Sequence, residues 1–147
     1  MKSTKGFTLL ELLAVIVVLA IIALIVTPFV TEAIVNAREG ADRNAGFGIV
    51  NAAELYYATV LGDPNSTHAG SFETTVINFE PDTGNSIAPD SGETSVFEFK
   101  GKAPIGGQLT IDSEGNIVFA VPLIFSSSDD AGFYYNGKDV TRDIEKS

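Results

Sequence analysis

Few residues in this 147-residue chain are equipped for chemistry. Glu11 stands four residues after Phe7 of the Gly6–Phe7 junction, at the start of a long apolar run. A carboxylate there is costly in hydrocarbon unless it finds a partner, and an ionisable group at membrane depth is a functional residue by default. His68, the single histidine, falls in the loop segment Thr67–Ser71 with no nucleophile and carboxylate arranged around it, and it reads as solvated. Ser126-Ser127-Ser128-Asp129-Asp130, with Asp139 and Asp143 beyond, offers hard oxygen donors. Their spacing is not that of an EF-hand loop, so they read as a solvated acidic surface. There is no cysteine, which removes disulfides, cysteine-based zinc and iron–sulfur sites and thiol catalysis. No catalytic residue, metal site or cofactor is assigned, and the chain reads as a non-enzyme.

The elements that position Glu11 are legible in the hydropathy. From Leu12 to Thr31 twenty residues carry no charge, and Leu12–Val26 is apolar without interruption. Twenty helical residues span roughly 30 Å, the thickness of a bilayer's hydrocarbon core. Lys2 and Lys5 precede the run, which keeps the N-terminus cytoplasmic and exports the chain beyond Thr31. An ordinary cleaved signal fits poorly, because its apolar region is usually about 7–15 residues long and ends at an A-x-A site. Beyond Thr31 the chain is polar. Nine Lys and Arg against nineteen Asp and Glu give a formal charge of −10, which argues against direct binding to a nucleic-acid backbone.

Lys5-Gly6-Phe7-Thr8-Leu9-Leu10-Glu11, the apolar stretch and then Pro28 together resemble the N-terminus of type IV prepilins. The resemblance implies a leader of residues 1–6, cut by a membrane prepilin peptidase between Gly6 and Phe7, with the new N-terminal Phe7 then methylated. It gives Glu11 a part in methylation and assembly, makes Pro28 the helix-kinking proline, and implies that the segment from about Ala20 to Pro28 can lose helicity in a filament. The implied partners are other copies in a helical homopolymer, the peptidase, the pilus assembly platform and minor pilins. The precursor would lie in the cytoplasmic membrane and the assembled filament at the cell surface. Gly107–Asn116 also looks like pilins of Gram-positive bacteria, and major pseudopilins of type II secretion bind calcium in a C-terminal loop.

The charges support this reading on physical grounds. Cleavage would expose an amine on Phe7 that is as expensive in hydrocarbon as Glu11. An amine and a carboxylate four residues apart, or on neighbouring subunits, can neutralise each other.

The expected fold is α+β: one long N-terminal helix, half transmembrane and half amphipathic, packed on an antiparallel sheet. Residues 7–31 form the transmembrane and assembly half, and 32–147 the globular head, made of helix 32–61, loop 62–74 and sheet 75–147. Ala33, Ala37, Ala41, Ala45, Ile49, Ala53, Tyr57 and Leu61 recur every four residues and predict the stripe that packs on the head. Glu32, Arg38, Glu39, Asp42, Arg43 and Glu54 fall mostly on other faces, and Gly40, Gly46 and Gly48 predict local bending. Gly62-Asp63-Pro64-Asn65-Ser66 ends the helix; Asn65-Ser66-Thr67 matches a glycosylation sequon, a short and weak pattern. Strands are expected at 75–79, 96–100, 108–111 and 116–121, the last two joined by the turn Asp112-Ser113-Glu114-Gly115. Phe133–Tyr135, Asn136-Gly137 and Lys138–Thr141 predict a final hairpin. Ile77, Phe79, Phe97, Phe99, Leu109, Ile111, Ile117, Phe119 and Val121 are the expected inward face.

The function these features imply is a structural subunit that polymerises into a type IV pilus through its hydrophobic helix, with adhesion or motility as roles of the whole fibre. The alternative is a pseudopilin of a type II secretion or DNA-uptake filament. A monomeric surface protein with a plain anchor would have no use for Glu11 beside Gly6–Phe7. An exported hydrolase would need a convergent nucleophile, base and oxyanion site, and none is legible.

Overall fold

The computed structural model describes residues 6–66, 70–82, 84–87, 96–125 and 132–142. Residues Met1–Lys5 of the expected leader, His68, Thr67 of the sequon, and the acidic stretch Ser126–Asp130 with Asp143 lie outside the described residues. One helix, α1 (Leu9–Gly62, 54 residues), is followed by seven strands: β1 (Thr75–Phe79), β2 (Ser86–Ile87), β3 (Phe97–Glu98), β4 (Gly106–Ile111), β5 (Ile117–Ile124), β6 (Phe133–Tyr135) and β7 (Val140–Arg142). The result is an α+β fold, a long N-terminal helix with an antiparallel sheet of five strands. The chain forms two compact units, Met1–Glu39 and Gly40–Ser147.

In the first unit every described side chain from Gly6 to Arg38 is exposed. This is the one helix among the described residues long and apolar enough to cross a membrane. The uncharged polar residues of its apolar stretch look inward to their own backbone. Thr27 Oγ1 donates to the Ala23 carbonyl at 2.6 Å and Thr31 Oγ1 to the Thr27 carbonyl at 2.9 Å. Helical structure continues through Pro28.

The second unit holds the core. Ala45, Ile49, Val50, Ala53, Tyr56 and Val60 of α1 join Ile77, Phe79, Phe97, Leu109, Ile111, Phe119 and Leu123 in one buried cluster. The helix face that does this departs from the expected stripe. Ala33, Ala37, Ala41 and Leu61 are exposed and Tyr57 is half-buried. A helix turns about 100° per residue, so a strict four-residue repeat walks about 40° around the axis at each step. Starting from the buried Ala45, Leu61 has left the core face altogether. The buried positions 42, 45, 49, 53, 56 and 60 instead mix steps of three and four, which holds one face.

Asp42 lies on that buried face rather than away from it. Its carboxylate accepts a bond from Lys102 Nζ at 2.9 Å, and the ammonium also stands 5.9 Å from the centre of the Phe125 ring. Two of the helix glycines allow close approach. A Cβ on Gly46 would meet Val140 Cγ1 at 2.9 Å, and one on Gly48 the Lys100 carbonyl at 3.1 Å.

The five-stranded sheet runs β1-β4-β5-β6-β7 with every pairing antiparallel. The β4–β5 turn is built on Asp112, whose carboxylate accepts from the Asn116 amide and from the backbone N–H groups of Asn116 and Glu114 at 2.8–2.9 Å. The Asn116 side chain leads these donors in holding the Asp112 carboxyl below the ordinary aspartate range. Gly115 adopts φ +85°, and a Cβ there would lie 2.7 Å from the Tyr57 ring, so glycine is required twice over.

Three strand expectations need correction. Ser86–Ile87, outside every expected strand, pairs with Phe97–Glu98 in a separate two-stranded sheet, so the 96–100 strand is not part of the main sheet. Asn85 clamps the two segments: its side-chain amide donates to the Gly101 carbonyl at 2.7 Å, and its own carbonyl accepts from Phe99 N at 3.1 Å. Val121, expected inward, is 47% exposed. It pairs with Gln108 where the β4–β5 register shifts, beside Gly107 at φ +118°, and this bulge turns the side chain out before Leu123 and Phe125 return to the core. The last strand is Val140–Arg142, slightly later than expected.

That final hairpin is tied to the helix. Asn136 Oδ1 accepts from the backbone N–H groups of Lys138 and Asp139, and Arg43 Nη2 donates to both Asp139 carboxylate oxygens at 2.6 and 2.7 Å. The Arg43 hydrogen bond, more than its charge, holds the Asp139 carboxyl below its ordinary value of 3.8. A group whose folded-state pKa is lowered adds stability that is complete at neutral pH and is lost as the pH falls below the ordinary value. Thermal melts of the detergent-solubilised chain should therefore show wild type losing more stability than Asp139→Asn between pH 5 and pH 3; parallel curves would refute this role. A fragment lacking residues 1–30 keeps the whole core and should be a soluble, cooperatively unfolding monomer by circular dichroism and gel filtration.

Candidate processing and assembly site

Gly6 and Phe7 precede the helix in irregular backbone. Space around Gly6 is open, since a Cβ there would meet no atom within 4 Å, and Phe7 is 84% exposed. The helix begins at Leu9, which makes Thr8 its N-cap and Glu11 the third helical residue.

Thr8 and Glu11 close a reciprocal box. The Thr8 backbone N–H donates to Glu11 Oε2 at 2.8 Å, Thr8 Oγ1 donates to the same oxygen at 2.9 Å, and Glu11 N–H donates back to Thr8 Oγ1 at 3.3 Å. The Leu12 N–H completes the turn on the Thr8 carbonyl at 3.3 Å. Two N–H groups that a helix start leaves orphaned are thus satisfied by side chains, and an acid sits in the first turn where the helix dipole favours it.

The structure therefore brings Gly6, Phe7, Thr8 and Glu11 into one short segment, with Pro28 inside the helix farther along. The reading of Glu11 through a neighbour's amine gave Thr8 no role. The signal was present as T-x-x-E directly before an apolar run, the pattern of a capping box. Among the described residues no group of three or more acidic or histidine side chains is placed to hold a metal ion. Asp139, one of the acids considered for such a site, is bound to Arg43 instead.

Residues 1–27 match the family model described as the prokaryotic N-terminal methylation motif. The chain carries the prepilin signature of type IV pilins and pseudopilins. No curated protein and no solved structure matches it. The motif implies processing by prepilin peptidase and assembly into filaments, and with the apolar helix it points to a precursor anchored in the membrane.

If the box organises the Glu11 carboxylate for assembly, three variants should separate. Glu11→Ala should insert and lose its leader normally yet give no filaments, with partial rescue when mixed with wild-type subunits. Thr8→Ser keeps the hydroxyl and should assemble as wild type. Thr8→Val should lower filament yield, since losing an N-cap costs about 1 kcal/mol. Shearing and electron microscopy measure yield, and the precursor-to-mature ratio on gels measures processing. Wild-type yield from Glu11→Ala would refute the assignment.

Proposed function

We propose that the protein is the structural subunit of a type IV pilus filament. Prepilin peptidase cuts Gly6–Phe7, Phe7 is methylated, and the subunits polymerise through residues 7–31. The observation that carries this reading is the joint occurrence, in one N-terminal segment, of the methylation motif and of twenty uncharged helical residues that are all exposed. A plain anchor needs the apolar length alone. It needs neither a glycine–phenylalanine junction before the helix nor an acid held in the first turn.

Glu11 then acts in assembly. The amine freed on Phe7 and the carboxylate of Glu11 are each unfavourable alone in hydrocarbon, and breaking such a pair by deleting one partner costs about 3–5 kcal/mol. An incoming subunit whose amine meets a neighbour's carboxylate gains both neutralisation and axial register. Pro28 removes a backbone donor from the helix interior, which weakens the helix locally and supports a rearrangement of the preceding turns on packing.

Processing removes Lys2 and Lys5 and takes the formal charge from −10 to −12. Intact-mass spectrometry of sheared filaments should therefore find subunits that begin at Phe7 and carry one added methyl group. Filaments built from the full Met1 form would overturn the proposal.

A further inference from the structure

The outward face of the five-stranded sheet carries no charged residue at any described position. Strand pairing aligns Val76, Thr110 and Val118 in one row across β1, β4 and β5, and Asn78, Gln108 and Val121 in the next. Tyr134 on β6 extends the face. Val76, Val118, Val121 and Tyr134 are 41%, 51%, 47% and 38% exposed. The two amides are turned to each other, Gln108 Nε2 donating to Asn78 Oδ1 at 2.8 Å. A sheet with one solvated face normally presents polar residues outward. Here the acids sit in the turns at the strand ends: Glu80 and Asp82 after β1, Asp112 and Glu114 between β4 and β5, and Asp139 between β6 and β7.

We propose that this neutral face is a contact surface for a second copy of the chain in the assembled filament, an inference that rests on the filament reading above. Each copy carries a formal charge of −10, or −12 once the leader is gone. Copies that meet through an acidic surface set like charges opposite one another, which disfavours the contact. On the sheet face that repulsion is absent and exposed valines gain by leaving water. Interface cores are also depleted of charge, as this surface is, and Tyr134 is of a residue type enriched in them. A basic partner has no acid here to attract it, and an acidic partner no base. Within a filament, moreover, other copies of the chain are the protein present at the highest local concentration.

The test uses the full chain, assembled by its own machinery. The photoreactive residue p-benzoylphenylalanine is placed at Tyr134, where it replaces one aromatic ring with another, and separately at Val118. A control carries it at Ser113 in the β4–β5 turn. Irradiated filaments from the two face variants should yield covalent subunit dimers, mapped by peptide mass spectrometry to two copies of this chain, at several-fold the level of the Ser113 control. A second arm needs no probe. Val118→Glu should reduce sheared-filament yield several-fold at low salt and recover in high salt, whereas Val118→Thr should retain it.

Normal filaments that give no dimers, cross-links confined to a different protein, or equal dimer formation at Ser113 would each overturn the neutral-face contact. So would a wild-type yield from Val118→Glu. Those outcomes leave the filament reading standing. Absence of filaments from the wild-type chain would overturn that reading and this inference together.

Discussion

Between Leu12 and Thr31 the helix presents twenty consecutive uncharged side chains, all of them exposed among the described residues. Apolar area of that extent is unfavourable in water by roughly 25 cal/mol for each Å², so it has to be met by lipid or by protein from another chain. Hydrocarbon imposes a second demand, that each polar group be satisfied internally. The helix complies. Thr27 and Thr31 donate to carbonyls one turn back, and Thr8 and Glu11 satisfy each other at the first turn. Such a segment can sit in a membrane with the hydrogen bonds of its side chains made within the helix.

The unit Gly40–Ser147 has the opposite character. Its core draws on α1 as well as on both sheets, so the helix is a structural member there rather than an appendage. Close approach is achieved with small residues where strands and loops cross the helix, at Ala45, Gly46 and Gly48. Two ion pairs, Lys102–Asp42 and Arg43–Asp139, join helix residues to segments 60 and 96 positions away. Both are at least partly solvated, so each adds modestly to stability, and their value lies in fixing which face of the helix meets the sheet.

Element type was legible wherever one local rule acted alone. The breaker cluster at Gly62-Asp63-Pro64 stopped the helix, and Asp112-Ser113-Glu114-Gly115 made the expected hairpin through side-chain capping and a positive φ. Reading failed where the result depends on accumulated geometry. The four-residue alanine repeat looks like a stripe over two turns and drifts off the core over five. Val121 obeys strand alternation, yet a bulge at Gly107 and Gln108, which is visible only in the pairing, sends it outward. Asp42 looked solvent-facing because its charge partner, Lys102, is sixty residues away. The two-residue β2 carries no periodicity to detect; it exists because Asn85 bonds to Gly101 and Phe99 across the loop. At the processing segment the motif was plain from its residues, while the cap was missed because Glu11 was paired with an amine before its own first turn was considered.

The cap and the pairing proposed for Glu11 are compatible. An ionised carboxylate offers about four acceptor positions on its two oxygens. Both Thr8 donors converge on Oε2, so Oε1 can still receive an ammonium while the box stays closed. Placing the anion with hydrogen bonds from its own subunit reduces the conformational freedom it would lose on meeting a neighbour, which is how preorganisation strengthens binding. On the proposed pairing, it also moderates the desolvation of a charge held at membrane depth until its partner arrives. On the filament reading, Thr8 then fixes where the negative charge stands before assembly begins, and the Phe7 amine of the next subunit neutralises it there.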